Sequence, residues 1–406
     1  MPNPKSCTVA PMWPDSAATG PRSSANDTAR LSPIIPGNGR SFIRPRDTRL
    51  DVRVSAPPVN ERGAGSVSGG GQRPSGSWCA HGGNVLAFGG RDADGTPRFD
   101  QPVPPGGYLW WYVDALSDDG ENGISLIAFV GSVFSPYYAW ARGRSAGMAD
   151  AENHCALNVA LYGASGSRWT MTERGRRHVN RTAQSFTIGP SKVYWNGRSL
   201  IFEIDEWGVP VPRPVCGRVT VTPKGLSAFV TDLDAEGRHR WGPIGPCSRI
   251  EVDFGQPRLA WAGDAYLDSN EGDEPVDRGF RSWDWARSAM PGGDTAVVYD
   301  VRLLTGPDRV IAQRFSPSGL ASAFEAPPRS AVPRSKWHID RTMRSDPGMK
   351  PIIERTLEDT PFYVRSVLKS GLLGELVTSV HETLDAQRVA SMAVRLMLPW
   401  RMPRKL

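Results

Sequence analysis

The chain has little of what marks several common classes of protein, and each shortage narrows the reading. Across 406 residues no stretch reaches the roughly 18 consecutive apolar positions of a transmembrane helix. Cysteines are few: Cys7, Cys79, Cys155, Cys216 and Cys247 are odd in number, far apart and never spaced as Cys-x-x-Cys, so neither a disulfide framework nor a zinc site is expected. No Gly-x-x-x-x-Gly-Lys-Ser/Thr and no strand-linked Gly-x-Gly-x-x-Gly occurs, which leaves nucleotide chemistry unsupported. The opening Met1-Pro2-Asn3-Pro4-Lys5-Ser6-Cys7 lacks the continuous apolar core of a secretory signal, so a cytoplasmic protein is expected. The body also lacks positive charge. Residues 1–78 hold 10 Lys/Arg against 5 Asp/Glu and residues 334–406 hold 13 against 8, so with a net charge of +6 the middle of the chain is net acidic. Nucleic acid is therefore not an expected partner, because binding it needs a basic face on the folded body. Basic ends suit peripheral contact with an anionic membrane surface.

What the chain has in excess is glycine (43) and proline (36), which favour a turn-rich, mainly β protein. Residues 1–77 are rich in Pro, Ser, Gly and Arg with no sustained period and read as a disordered arm, Arg49–Val54 being its one strand-like segment. From Trp78 the texture becomes short strands between turns. Tyr108–Val113 and Ile124–Val130 flank a polar, Gly-containing loop, and Lys192–Trp195 and Arg198–Ile204 flank Asn196-Gly197, the dipeptide of a type I′ hairpin. Val219 and Val221, then Ile250, Val252 and Phe254, alternate with polar residues, as half-buried antiparallel strands do. A boundary in Asp232–Gly237 divides a first β domain, 78–235, from a second, 236–345. In the tail, 346–406, Val364, Val367, Leu368, Leu372, Leu376, Val380 and Leu384 recur near helical spacing and predict an amphipathic helix. That helix either packs on the body or lies on a bilayer anchored by Trp400.

The stretch His239–Trp285 mixes a histidine, carboxylates, a tyrosine and tryptophans among glycines, which suits a deep apolar pocket that must also move a proton better than it suits a β core. Trp241 lies one strand period from His239, and Tyr266 and Asp268 share strand parity. Asp264, Asp268, Asp277 and Asp284 compete as the key acid. Asp268 is favoured because it follows the Tyr266 ring just ahead of a Gly/Asn loop, whereas Asp264 follows Gly263 as a turn residue does. Phe280, Trp283 and Trp285 are the candidate substrate-binding rings. His154 and His178 read as structural. An EF-hand reading of Asp268–Glu274 fails on ligand spacing, since Gly272, Asp273 and Gly279 stand where Asp/Asn, Gly and Glu are needed. Gly143-Arg144-Ser145-Ala146-Gly147 spells a nucleophile elbow without the apolar strand that should enter it.

The blocks Gly107–Ala115, Ala128–Trp140, His239–Pro243, Asp264–Gly272 and Gly279–Trp285 make residues 78–345 resemble the carotenoid 1,2-hydratases, or hydroxyneurosporene synthases, of photosynthetic bacteria. The resemblance implies two lipocalin-like β-barrel or sandwich domains in tandem. It also implies cofactor-independent addition of water, with no metal, to the terminal C1–C2 double bond of an acyclic carotenoid such as neurosporene or lycopene. It carries catalytic roles onto Asp268, His239, Tyr266 and Trp241, and on that reading His239 positions the water and accepts its proton. On this reading peripheral contact would be with the inner or photosynthetic membrane. A non-catalytic hydrophobe- or carbohydrate-binding sandwich, or an isomerase or cyclase on the same scaffold, stays open, because fold alone does not fix chemistry.

Overall fold

The computed structural model describes residues 89–163 and 167–405. The arm read at 1–77, its Arg49–Val54 segment, Cys7 and Cys79 lie outside the described residues. Strands follow in the order β1 (Tyr108–Ser117), β2 (Gly123–Val130), β3 (Cys155–Tyr162), β4 (Arg168–Arg174), β5 (Val179–Arg181), β6 (Ser185–Ile188), β7 (Ser191–Trp195), β8 (Leu200–Trp207), β9 (Pro214–Pro223), β10 (Thr231–Asp232), β11 (His239–Gln256) and β12 (Leu259–Gly272). A short helix α1 (Pro136–Arg144) lies between β2 and β3. After the helical turn α2 (Val276–Gly279) come β13 (Phe280–Ala289), β14 (Thr295–Leu303), β15 (Arg309–Phe315), β16 (Ala321–Ala323), β17 (Arg329–Val332), β18 (Arg341–Arg344), β19 (Ile352–Asp359), β20 (Tyr363–Leu372) and β21 (Glu375–Asp385). The helices α3 (Ala386–Ala390) and α4 (Met392–Met397) and the terminal strand β22 (Arg404–Lys405) close the chain.

The first sheet joins β1 to β12 and β22, and the second runs β16-β15-β14-β13-β21-β20-β19. Strand β1 explains how the two sheets meet. Leu109, Trp111, Val113 and Ala115 belong to the core on one face of the first sheet, with Leu126, Val159, Phe202 and Val252. The alternate residues Tyr108, Trp110 and Tyr112 belong to a second core, shared with Trp283, Trp285, Tyr299 and Leu384 of the second sheet. Period-2 alternation thus gives one strand two buried faces, and the aromatic one looks across at the other sheet.

The mainly β expectation holds: the strands form two large sheets, followed by short C-terminal helices. The boundary expected at 235/236 falls inside the first sheet, because β11 and β12 are still part of it, and the change of sheet comes between Gly272 and Phe280. The Lys192–Ile204 hairpin forms, yet its turn is a four-residue loop: Trp195 pairs with Leu200 and the Asn196 side chain accepts from the N–H of Arg198 and Ser199. The amphipathic helix expected through Val364–Leu384 is corrected to the β20–β21 hairpin. The apolar spacing there fits either period, but Leu373 and Gly374 both take positive φ (56° and 80°) between the paired Leu372 and Glu375, a type I′ turn that ends any helix. Among the described residues of the tail, helix is confined to α3, α4 and a 3-10 turn at Leu398–Trp400.

Candidate active site

Between the aromatic face of the first sheet and the second sheet lies a cavity of about 530 Å³. Trp110, Tyr112 and Phe129 line it from β1 and β2, Trp241, Asp268 and Asn270 from β11 and β12, and Trp283, Trp285, Tyr299 and Glu382 from the second sheet. One side is formed by Trp337 and the C-terminal Val394, Met397, Leu398, Arg401 and Met402.

Asp268 reaches this space because of strand parity: Ala265 and Leu267 enter the core of the first sheet, which sends Tyr266, Asp268 and Asn270 the other way. Its carboxyl group is asymmetric. Oδ2 accepts from Trp241 Nε1 at 2.8 Å and from the Tyr266 hydroxyl at 3.0 Å, while Oδ1 is buried with no hydrogen-bond partner. Trp241 pairs with Asn270 across the ladder and reaches Asp268 on the diagonal, a distance long side chains span. With the residue only 3% exposed, burial dominates its titration and pushes the carboxyl up to about 8, against the opposing pull of the two donors; Glu382 and Asp114 push it further up. Near neutral pH Asp268 is therefore a neutral acid. Two donors occupy Oδ2, so its proton sits on Oδ1. Once that proton leaves, the same donors stabilise the carboxylate.

The rival carboxylates are otherwise engaged. Asp264 is exposed and paired with Arg249, and Asp277 pairs with Arg395. Asp284 is buried but satisfied by Arg302, Thr342 and Thr383. Trp283 and Trp285 line the cavity; Phe280 instead packs on His239 with ring centroids 4.4 Å apart. Tyr266 is wholly buried behind Asp268, its ring 5.2 Å from that of Trp285.

His239 shares the face of Trp241, as its spacing predicts, but it does not line the cavity, so the geometry gives no support to its handling the water directly. It is fully buried, Nδ1 lies 3.0 Å from the Tyr108 hydroxyl, and burial pulls it down to about 4, so the ring is neutral. Tyr108 in turn stacks on Trp110 at 4.8 Å. A Cβ at Gly272 would come within 2.8 Å of His239 Nδ1, and one at Gly279 within 2.5 Å of Nε2, which explains both glycines in this aromatic stretch. His154 is a buried partner of Glu173 and Arg404, and His178 sits in an exposed 3-10 turn. Ser145 is only the C-cap of α1, so its Gly-x-Ser-x-Gly context is not an elbow.

Sequence reasoning assigned no role to Trp110, Tyr112, Tyr299, Asn270 or Glu382. Alternation of Tyr108, Trp110 and Tyr112 against Leu109, Trp111 and Val113 was the available signal for the first two. Glu382 carried none, because its strand read as helix.

With this geometry in hand, the comparisons with known proteins are specific. The family described as carotenoid hydratase CrtC matches residues 126–406. An acyclic carotenoid 1,2-hydratase of Rubrivivax gelatinosus is 62% identical over 381 residues, covering 94% of each chain, and one of Thiocapsa roseopersicina is 49% identical over 380 residues, covering 93% of each. Among solved structures, an AttH protein of Nitrosomonas europaea aligns with a TM-score of 0.47 at 14% identity, covering 69% of this chain and 92% of its own. The family match and both hydratase relatives span most of this chain, and the chain belongs to the CrtC carotenoid hydratase family.

Proposed function

We propose that the cavity adds water across the terminal C1–C2 double bond of an acyclic carotenoid, with Asp268 as the acid. The observation that carries this reading is the unpartnered Oδ1 of a carboxyl held neutral inside an aromatic cavity. An isolated trisubstituted alkene is a very weak base, so the step demands a strong local acid and then relief for a tertiary cation. Asp268 gives its Oδ1 proton to C2 as the π pair becomes the new C2–H bond, which leaves the cation at C1. Faces of Trp241, Trp283, Trp285 and Tyr299 around the cavity stabilise that charge by up to about 2 kcal/mol each when desolvated. Water then adds its oxygen to C1 and loses a proton, giving the tertiary alcohol. Trp241 and Tyr266 hold the resulting Asp268 carboxylate. His239 contributes through Tyr108 and Trp110, fixing the wall of the cavity. A passive carotenoid-binding pocket has no use for a buried carboxyl with a free oxygen, because leaving such a group unsatisfied is costly.

The substrate class also explains the rim. Beside the cavity-lining Met397, Leu398, Arg401 and Met402, the side chains of Met392, Leu396 and Trp400 face solvent, Trp400 at 75% exposure. Large apolar side chains beside arginines at a pocket mouth fit peripheral contact with an anionic bilayer from which a carotene slides in. No helix of the described residues is long and apolar enough to cross a membrane.

The test is turnover of detergent-dispersed lycopene in ¹⁸O-labelled water. The expected product is heavier than the substrate by one water, with the label on C1. Unchanged lycopene, or an isomer without oxygen, would overturn the reading.

A further inference from the structure

The established chemistry needs a group that orients water and takes its proton, and His239 does not reach the cavity. We propose that Glu382, on the wall opposite Asp268, is that base, with Arg365 and Tyr112 as its positioning residues.

Glu382 lies on β21 in the second sheet and lines the same cavity as Asp268 on β12 in the first. Tyr112 spans the two. It is the register partner of Asp268 across the β1–β12 ladder, and its hydroxyl lies 2.5 Å from Glu382 Oε1. That hydroxyl also lies 2.9 Å from Asp114, and its single proton serves one of the two carboxylates at a time. Arg365 donates to the same Oε1 and, at 2.7 Å, to the Tyr112 oxygen. Its Nε donates to the Tyr363 hydroxyl at 2.9 Å, so the guanidinium is fixed from two sides. Asp114 is separately ion-paired with Arg287.

Two features make this cluster more than a structural ion pair. Every protein hydrogen bond to Glu382 falls on Oε1; among the described residues Oε2 has no partner, although the residue faces the cavity. Glu382 also borders a cavity walled by Trp110, Phe129, Trp283 and Trp285, with the Arg365 end of its ion pair buried outside that lining. Burying an ion pair there is costly and rarely pays in stability alone, whereas a carboxylate with one oxygen anchored and one free is what a water molecule needs. Asp268 and Glu382 thus line one cavity from different sheets, and acid and base act on the alkene from those two walls. As the water oxygen bonds to C1, its O–H bond breaks toward Glu382 Oε2. A second water returns that proton to Asp268 and resets the pair.

This assignment rests on Asp268 being the acid, and one experiment separates the two claims. In D₂O a cation that is not captured by water returns to alkene by giving a proton from C2 back to Asp268, which leaves deuterium in recovered substrate. Deuterium in recovered lycopene and in hydrated product are read from the same reaction, so their ratio does not depend on how much of a variant is folded. Glu382→Gln should lower hydration on the order of 10²-fold while exchange into lycopene persists, and the exchange-to-hydration ratio should rise accordingly. Tyr112→Phe, which keeps the Glu382–Arg365 pair, should raise the ratio about tenfold, as expected for one lost hydrogen bond to a charged group. Asp268→Asn should lose exchange and hydration together; exchange persisting there would overturn the acid assignment instead. A wild-type ratio in both Glu382→Gln and Tyr112→Phe, or parallel loss of exchange and hydration in both, would overturn the role of Glu382.

Discussion

Asp268→Asn should make the protein more stable while making it a poor catalyst, and the size of the gain follows from the site. Folding lifts the carboxyl from an ordinary 3.8 to about 8. Near pH 7 the unfolded chain carries an ionised Asp268 and the folded chain a protonated one, so folding must bind a proton against the solution pH. At about 1.4 kcal/mol per pH unit between 3.8 and 7, that uptake costs about 4 kcal/mol. The sign follows from the raised value. Wild-type stability from this group is full below about pH 4, falls as the pH rises, and reaches its lowest level above about pH 8. Asparagine keeps an oxygen for the Trp241 and Tyr266 donors and leaves a similar unpartnered polar group at the cavity, yet it binds no proton. Urea unfolding of the two proteins across this range should show little difference near pH 4 and a gap widening by about 1.4 kcal/mol per pH unit until about pH 8. Other titrating groups cancel in the comparison. A gap that does not change with pH would show that Asp268 titrates as an ordinary carboxyl and would refute its role as a neutral acid.

Three further outcomes are expected. Wild-type kcat/KM should be level at neutral pH and fall above about pH 8 as Asp268 ionises, and in Tyr266→Phe, which removes a donor to the carboxylate, the falling limb should move to higher pH. Trp241→Phe keeps a π face but loses the Nε1–H bond to Asp268, so it should lower kcat less than Trp241→Ala, which also leaves a void costing about 3–5 kcal/mol by thermal or chemical unfolding. Replacing the exposed Met392, Leu396 and Trp400 together by serine should weaken binding to anionic vesicles more than tenfold, given roughly 1.5 kcal/mol or more per buried apolar side chain, and leave turnover in detergent within about twofold. Equal vesicle binding would leave that rim without a membrane role. Truncation before Trp400 is a poorer test, because Arg404 is bonded to buried Glu173.

Much of this site was legible because its parts lie close in sequence. Trp241, Tyr266 and Asp268 sit on two adjacent strands, β11 and β12, and period-2 parity alone puts Tyr266 and Asp268 on one face. The same parity puts His239 beside Trp241, but parity fixes a face and not a position along the strand. His239 pairs with Gly272 and Asp268 with Pro243, so the two are separated along the ladder and only one meets the cavity. Phe280 went the same way, packing on His239. The opposite wall was not legible. Glu382 meets Tyr112 across 270 positions of sequence, and Val364–Leu384 has apolar spacing that fits helix or strand equally until the turn at Leu373-Gly374 decides it. The expected boundary at Asp232–Gly237 is not a change of sheet for a related reason: the loop reads as a linker, but β11 beyond it completes the first sheet by pairing with β9 and β12.

The most direct test of the account is hydration of lycopene by Asp268→Asn, measured with carotenoid binding to the same preparation. The variant keeps the shape of the cavity and cannot deliver a proton. The account predicts unchanged binding with turnover lower by at least the roughly 10²-fold typical of a lost general acid. Hydration near the wild-type rate would contradict it, and the acid would then lie elsewhere than at the unpartnered oxygen of Asp268.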